Sequence, residues 1–246
     1  MQSNLTKLFL LTGMTALSFS VSAVETDLDY GLSGSGELGF TNNSGNTEST
    51  VLYAGLKGKY VQPVYEIRSL LEAHYQSEDS VQTQERYLLD VQGNRFYSRD
   101  RGYYSYIGAR FEKSRFEFID LDAVYSLGLG KDLFRTEQTK ATGEVGIGYQ
   151  VTDYSRSTTQ RDTDQLIGRL KIDLDHQFNE ISAFHQDITL ITGYDQSKVE
   201  SNTGLKFKLA DQLKLSASYK YRYNSKPASG SKDVDTQTIL TLIYDF

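Results

Sequence analysis

Thr-Gln-Thr-Ile-Leu-Thr-Leu-Ile-Tyr-Asp-Phe, residues 236–246, closes the sequence and decides how the rest of it is read. In an extended strand successive side chains point to opposite faces. Thr238, Leu240, Leu242, Tyr244 and Phe246 therefore share one face, while Gln237, Thr241 and Asp245 share the other with Ile239 and Ile243. One face suits hydrocarbon and the other mostly suits water. In isolation an ordinary amphipathic strand reads the same way, so the segments before it have to decide.

Working outward from that strand, the same alternation returns along the chain. Leu213, Leu215, Ala217, Tyr219, Tyr221 and Tyr223 oppose Lys214, Lys220 and Arg222; Leu205, Phe207 and Leu209 oppose Lys206 and Lys208. Phe184, Ile188 and Leu190 oppose His185 and Asp187, and Leu166, Leu170, Ile172 and Leu174 oppose Gln165, Arg169, Lys171, Asp173 and Asp175. Further back, Ala141, Val145, Ile147 and Tyr149 oppose Glu144 and Gln150, Leu121 to Leu129 oppose Asp120, Asp122 and Ser126, and Ile107, Ala109 and Phe111 oppose Tyr104, Tyr106, Arg110 and Glu112. Tyr87, Leu89 and Val91 alternate with Arg86, Asp90 and Gln92, and Ile67, Leu71, Ala73 and Tyr75 with Glu66, Arg68, Glu72 and His74. Two glycine- and leucine-rich strands open the series, at residues 32–40 and 49–60.

The count is about twelve strands, each expected to be about the 9 to 11 residues that a tilted membrane strand needs. Both prolines, Pro63 and Pro227, fall between strands, as the missing N–H requires. An even number of strands returns both termini to one side. Short turns are expected near Pro63, Ser98, Asn179 and Asp211, a connection at residues 131–138, and longer charged loops at residues 77–84, 153–162 and 225–234. Tyrosine and phenylalanine gather near strand ends, at Phe40, Tyr60, Tyr75, Tyr97, Tyr103, Tyr194, Tyr223 and Phe246, where a membrane barrel carries aromatic girdles.

Composition supports the same architecture. Only 38% of residues are hydrophobic although 12% are aromatic, and mean hydropathy is −0.47, too polar for a large dry core but suited to a barrel with a wet interior. Lys7, the apolar run 8–21 and Val21-Ser22-Ala23 form a secretory leader expected to be cut after Ala23, leaving a single barrel domain over residues 24–246. That run is too short for a transmembrane helix, and no other approaches the length. Cutting removes one lysine and no acid, so 25 basic residues face 32 acidic ones, a net of −7 that argues against nucleic acid as a partner. The chain has no cysteine, which excludes disulfides, thiolate metal sites and cysteine catalysis.

The terminal Phe246, with Tyr244, Leu242 and Leu240 at every second position before it, resembles the assembly signal of bacterial outer-membrane β-barrels. The leader, the opening Gly-Ser-Gly-Glu-Leu-Gly-Phe (34–40), the loop Asn-Ser-Gly-Asn-Thr (43–47) and the tyrosine- and glycine-rich strands resemble the salt-induced outer-membrane protein family of Gram-negative bacteria, a domain of unknown function. The resemblance implies an all-β, outer-membrane barrel, with lipid, lipopolysaccharide and the outer-membrane assembly machinery as partners. It leaves the oligomeric state open and brings no catalytic residues.

Candidate sites are weighed against that background. A hydrolase would need one of the three histidines, His74, His176 or His185, beside a serine nucleophile or paired carboxylates. No nucleophile elbow, metal-ligand cluster or phosphate loop accompanies them, so they read as lumen residues, with no catalytic site, metal or cofactor expected. The inward charges are more informative. Lys206, Lys208, Lys214, Lys220 and Arg222 read as a basic lumen wall, and Asp120, Asp122 and Glu144 as an acidic one roughly opposite. The expectation is a small-solute or ion channel with a charged lumen; a structural envelope barrel without an open pore ranks second and an outer-membrane hydrolase last.

Overall fold

The computed structural model describes residues 30–43, 49–79, 81–98, 100, 102–156, 158–228 and 231–246. The expected leader, and residues 44–48 of the first loop, lie outside them. The strands are β1 (Gly31–Asn43), β2 (Ser49–Val61), β3 (Tyr65–Glu78), β4 (Val81–Ser98), β5 (Tyr103–Ser114), β6 (Ile119–Arg135), β7 (Thr139–Tyr154), β8 (Thr163–Gln177), β9 (Ser182–Gly193), β10 (Ser197–Lys208), β11 (Leu213–Asn224) and β12 (Val234–Asp245). Each pairs antiparallel with its sequence neighbour, and β1 pairs with β12, placing Leu38 opposite Leu242 and Gly36 opposite Tyr244. The result is a closed twelve-strand barrel. Closure leaves no unpaired edge, which a strand exposed to hydrocarbon could not tolerate. The last residue takes part: Phe246 N donates to Gly34 O at 2.9 Å and Gly34 N to Phe246 O at 2.8 Å.

The period-two pattern sorts the two faces. Leu38, Leu56, Leu71, Ile107, Leu127, Leu129, Ile147, Leu170, Ile172, Leu240 and Leu242 all lie exposed on the outside, a continuous apolar belt far larger than the patches that water-soluble monomers tolerate. Glu37, Glu66, Glu72, Arg86, Glu112, Asp122, Glu144 and Arg169 are buried inside.

Three expectations need correction. The strands run longer than 9 to 11 residues, with 18 in β4, 17 in β6 and 16 in β7. The loop expected at 77–84 shrinks to a tight turn around Asp79, which adopts φ 47°, and β6 continues through most of 131–138 to Arg135. Both segments are polar, and polarity alone suggested loops; beyond the apolar belt, strands keep their ladder hydrogen bonds while their side chains meet water. The third correction is Asp120. Ile119 pairs with Tyr154 and Leu121 with Asp153, so Asp120 is the extra residue of a β-bulge and lies exposed at the strand end, not in the lumen. A bulge shifts the face of everything on one side of it, which a strict count of two cannot anticipate.

On the β4 to β8 side the lumen near the terminal end is filled by aromatics. Phe96 and Tyr104 stack at 5.0 Å between centroids, and with Tyr106 they form a buried cluster. They lie over Gly128, Gly130 and Gly146 of the adjacent strands, where any Cβ would run into the Tyr104 or Tyr106 ring. The glycines make room for rings that lie flat against the wall.

Candidate functional site

Among the described residues the lumen gathers the densest set of charged groups. Its terminal end, which carries Gly31 and Asp245, differs from its distal end. At the terminal end the lining is solvated: the Lys57 side chain is 43% exposed, and Lys208, Lys214 and Asp175 are open to a similar or greater degree. Towards the distal end Glu112 is 2% exposed and Arg86 5%. Several lining charges are thus solvated at the terminal mouth and buried towards the distal end.

Three clusters of side chains fill this part of the lumen. In the first, near the middle, Glu144 accepts from Arg169 Nη1 at 2.8 Å, Gln92 Nε2 at 2.7 Å and Tyr104 Oη at 3.0 Å. Gln92 belongs to β4 and Arg169 to β8, so this cluster ties separated strands together. In the second, Glu72 meets Lys220 Nζ at 2.8 Å, Tyr53 Oη at 2.9 Å and His74 Nε2 at 3.2 Å, while His74 Nδ1 lies 3.2 Å from Gln237 on β12. Lys220 Nζ also sits 4.5 Å from the centroid of the Tyr53 ring.

The third cluster is the densest. Arg222 of β11 reaches Glu112 of β5 at 2.5 Å, Glu117 at 2.9 Å and its neighbour Glu200 at 3.4 Å. Arg110 of β5 crosses to Glu200 of β10 at 2.6 Å, and Arg86 of β4 binds Glu112 at 2.8 Å with Glu200 at 3.6 Å. Beside them Lys198 of β10 meets Asp122 of β6 at 2.8 Å, and Asp122 also accepts from Gln150 at 2.7 Å and Thr152 at 2.6 Å. Apart from the 3.6 Å ion pair, these contacts are charge-assisted, the stronger class of hydrogen bond.

The two walls expected from sequence do not face each other as blocks. Of the basic set, Lys208 pairs with Asp211 at 3.0 Å and Lys214 with Asp245 at 2.6 Å at the terminal rim, whereas Lys220 and Arg222 are built into the second and third clusters. Lys206 has no carboxylate partner among the described residues. Of the acidic set, Asp122 is bound by Lys198 and Glu144 by Arg169, both outside the predicted basic wall. Arg86, Arg110, Glu112, Glu200 and Lys198, which form the distal knot, were not singled out by sequence. Their signal was present in the alternation, but which inward charges meet across a barrel depends on register and level along the axis. His185 lies in the terminal half of the lumen between Asp175 at 2.8 Å and Asp187 at 3.2 Å, and His176 contacts Thr139 at 2.8 Å at the terminal rim. Among the described residues the partners of His185 are carboxylates and that of His176 is a threonine hydroxyl. Leu240, Leu242 and Tyr244 lie on the outer face of β12, and the Phe246 ring covers Gly34, where an added Cβ would come within 2.7 Å of it.

Comparison with known proteins places the sequence in context. The family described as "Protein of unknown function, DUF481" matches residues 36–246. Among curated proteins no sequence matches the chain. Solved structures share the architecture at low identity. The COG4313 outer membrane channel from Pseudomonas putida F1 aligns at 8% identity and a TM-score of 0.51, over 89% of this chain and 97% of its own. The NanC porin aligns at 12% identity and 0.50, over 87% and 98%; the translocator domain of the autotransporter NalP from Neisseria meningitidis aligns at 12% and 0.46, over 89% and 90%. At these identities the likeness is one of fold.

Proposed function

The chain belongs to the DUF481 family, and we propose that it resides in the bacterial outer membrane as a channel for small ions and solutes that stands closed in the conformation described. The observation that carries this reading is an inner face rich in charged and polar groups, interrupted by the Phe96–Tyr104–Tyr106 and Val124–Ile167–Ile191 clusters, behind an apolar outer belt. Stability alone does not call for such a lining, because replacing buried ion pairs by well-packed apolar groups is often neutral or favourable. A path for water and ions does call for it. Two proteins of the same fold are by name a channel and a porin, which supports the reading.

In this reading the outer belt meets lipid and lipopolysaccharide, and the strand ending in Leu240, Leu242, Tyr244 and Phe246 is what the assembly machinery engages. No step of the proposed role is catalytic. The test is purified protein in a planar bilayer, where discrete, infrequent openings of small conductance are expected. The cross-lumen ion pairs favour one other reading, a structural envelope barrel without a pore; complete silence over a wide voltage range would select it.

A further inference from the structure

We propose that the distal knot is a two-state gate in which Arg222 exchanges a partner across the lumen for partners on its own wall. This rests on the channel reading and names the residues that would open it. Arg222 stands directly opposite Glu200 on β10 and Asp235 on β12, so two carboxylates flank it on the wall to which it belongs. Directly opposed residues have Cβ atoms about 4.5 to 5.5 Å apart, well within the reach of a guanidinium. On the facing wall, Arg110 stands opposite Asp90 and already lies 3.9 Å from it, and Glu112 lies 2.8 Å from Arg86 and 3.4 Å from Arg110.

The contacts that bar the lumen are therefore a subset of those available. Arg222 to Glu112, Arg222 to Glu117, Arg110 to Glu200 and Arg86 to Glu200 join the two walls. If they part, Arg222 keeps Glu200 and gains Asp235, while Glu112 keeps Arg86 and Arg110, and Arg110 keeps Asp90. Lys198, released from Asp122, has Glu200 two residues along its own strand, and Asp122 retains Gln150 and Thr152. In the parted arrangement Arg222, Arg110 and Arg86 each keep a carboxylate, whereas Asp122 is left with neutral donors and Glu117 loses Arg222. The Glu144 cluster differs in that Arg169 and Glu144 belong to adjacent strands, so their pair lies along one wall and does not bar the lumen. The closed state is not fully satisfied either, since Arg86 Nε has no hydrogen-bond partner. The Glu144 cluster joins β4, β5, β7 and β8 and the Glu72 cluster joins β2, β3, β11 and β12, each along one side of the wall, so parting the knot with the barrel wall intact opens the path between them.

The test is single-channel recording of the full-length protein and of Arg222→Gln. Glu117→Gln, which removes one contact at the rim, is a milder second variant in case the first folds poorly, and Asp173→Asn in the terminal half of the lumen is the control. Heat-modifiable migration establishes that each barrel is folded. Arg222→Gln should raise open probability at least tenfold and Glu117→Gln less, with Asp173→Asn unchanged. Raising salt from 0.1 to 1 M, which shortens the Debye length from about 10 to about 3 Å, should raise open probability in the wild type more than in Arg222→Gln. Equal open probability in wild type and both knot variants would overturn the gate while leaving the channel standing. Silence from every variant would remove the channel, and the gate with it.

Discussion

Glu144→Gln probes the buried middle of the lumen. The Glu144 side chain is 0% exposed and Arg169 9%, so the substitution, nearly identical in shape, leaves a buried guanidinium without its counter-ion. Breaking one side of a buried pair costs about 3 to 5 kcal/mol. Arg169 keeps its contact to Gln92 at 3.3 Å and its place 4.9 Å from the centroid of the Tyr106 ring, which sets the expectation at the lower end, about 3 kcal/mol. The double variant Glu144→Gln, Arg169→Met removes the stranded charge and should recover most of the loss. Urea titration of barrels folded in lipid vesicles, read by heat-modifiable migration, gives both numbers. A cost below about 1 kcal/mol for Glu144→Gln, the value of a solvated pair, would show that water reaches this cluster.

Arginine at Leu127 or Ile172, both on the outer belt, should cost about 2 to 4 kcal/mol in lipid, whereas arginine at Asp175 at the terminal mouth should cost less than about 1 kcal/mol; the same urea titration compares them. Gly130→Ala places a methyl group in the Tyr104 ring and should destabilise by about 1 to 3 kcal/mol, with Gly130→Ala, Tyr104→Ala recovering part of it. Phe246→Ser with Tyr244→Ser should lower the amount of heat-modifiable protein in outer-membrane fractions and raise periplasmic degradation; normal levels would show that the terminal strand is not read during assembly.

What the sequence made legible follows from how strongly each feature depends on local pattern. Strand number and facing were readable because every strand alternates, and a slip of one residue would turn Leu127 or Ile172 into the lumen. Strand ends were not, because Gln82 and Gln84 look the same in a loop and in a strand that projects into water. The bulge at Asp120 was hidden for a related reason: nothing in Phe-Ile-Asp-Leu-Asp marks which residue is extra. The partners of the lumen charges were least legible. Five basic residues on neighbouring strands looked like a wall with a positive field, yet Lys220 and Arg222 are neutralised by Glu72 and Glu112, which lie 148 and 110 residues away in sequence. Such a pairing depends on barrel closure and on level along the axis, and neither is written in any one strand.

The proposed outer-membrane barrel has its apolar face in lipid and water inside its terminal half. The chain has no cysteine, so single cysteines at Leu166, Leu170, Lys171, Ile172 and Asp173 along β8 can each carry one spin label in bilayers. Relaxation by oxygen should dominate at 166, 170 and 172, and relaxation by a water-soluble nickel chelate should appear at 171 and 173. Uniform access of the chelate to all five sites, or the reverse alternation, would contradict the account.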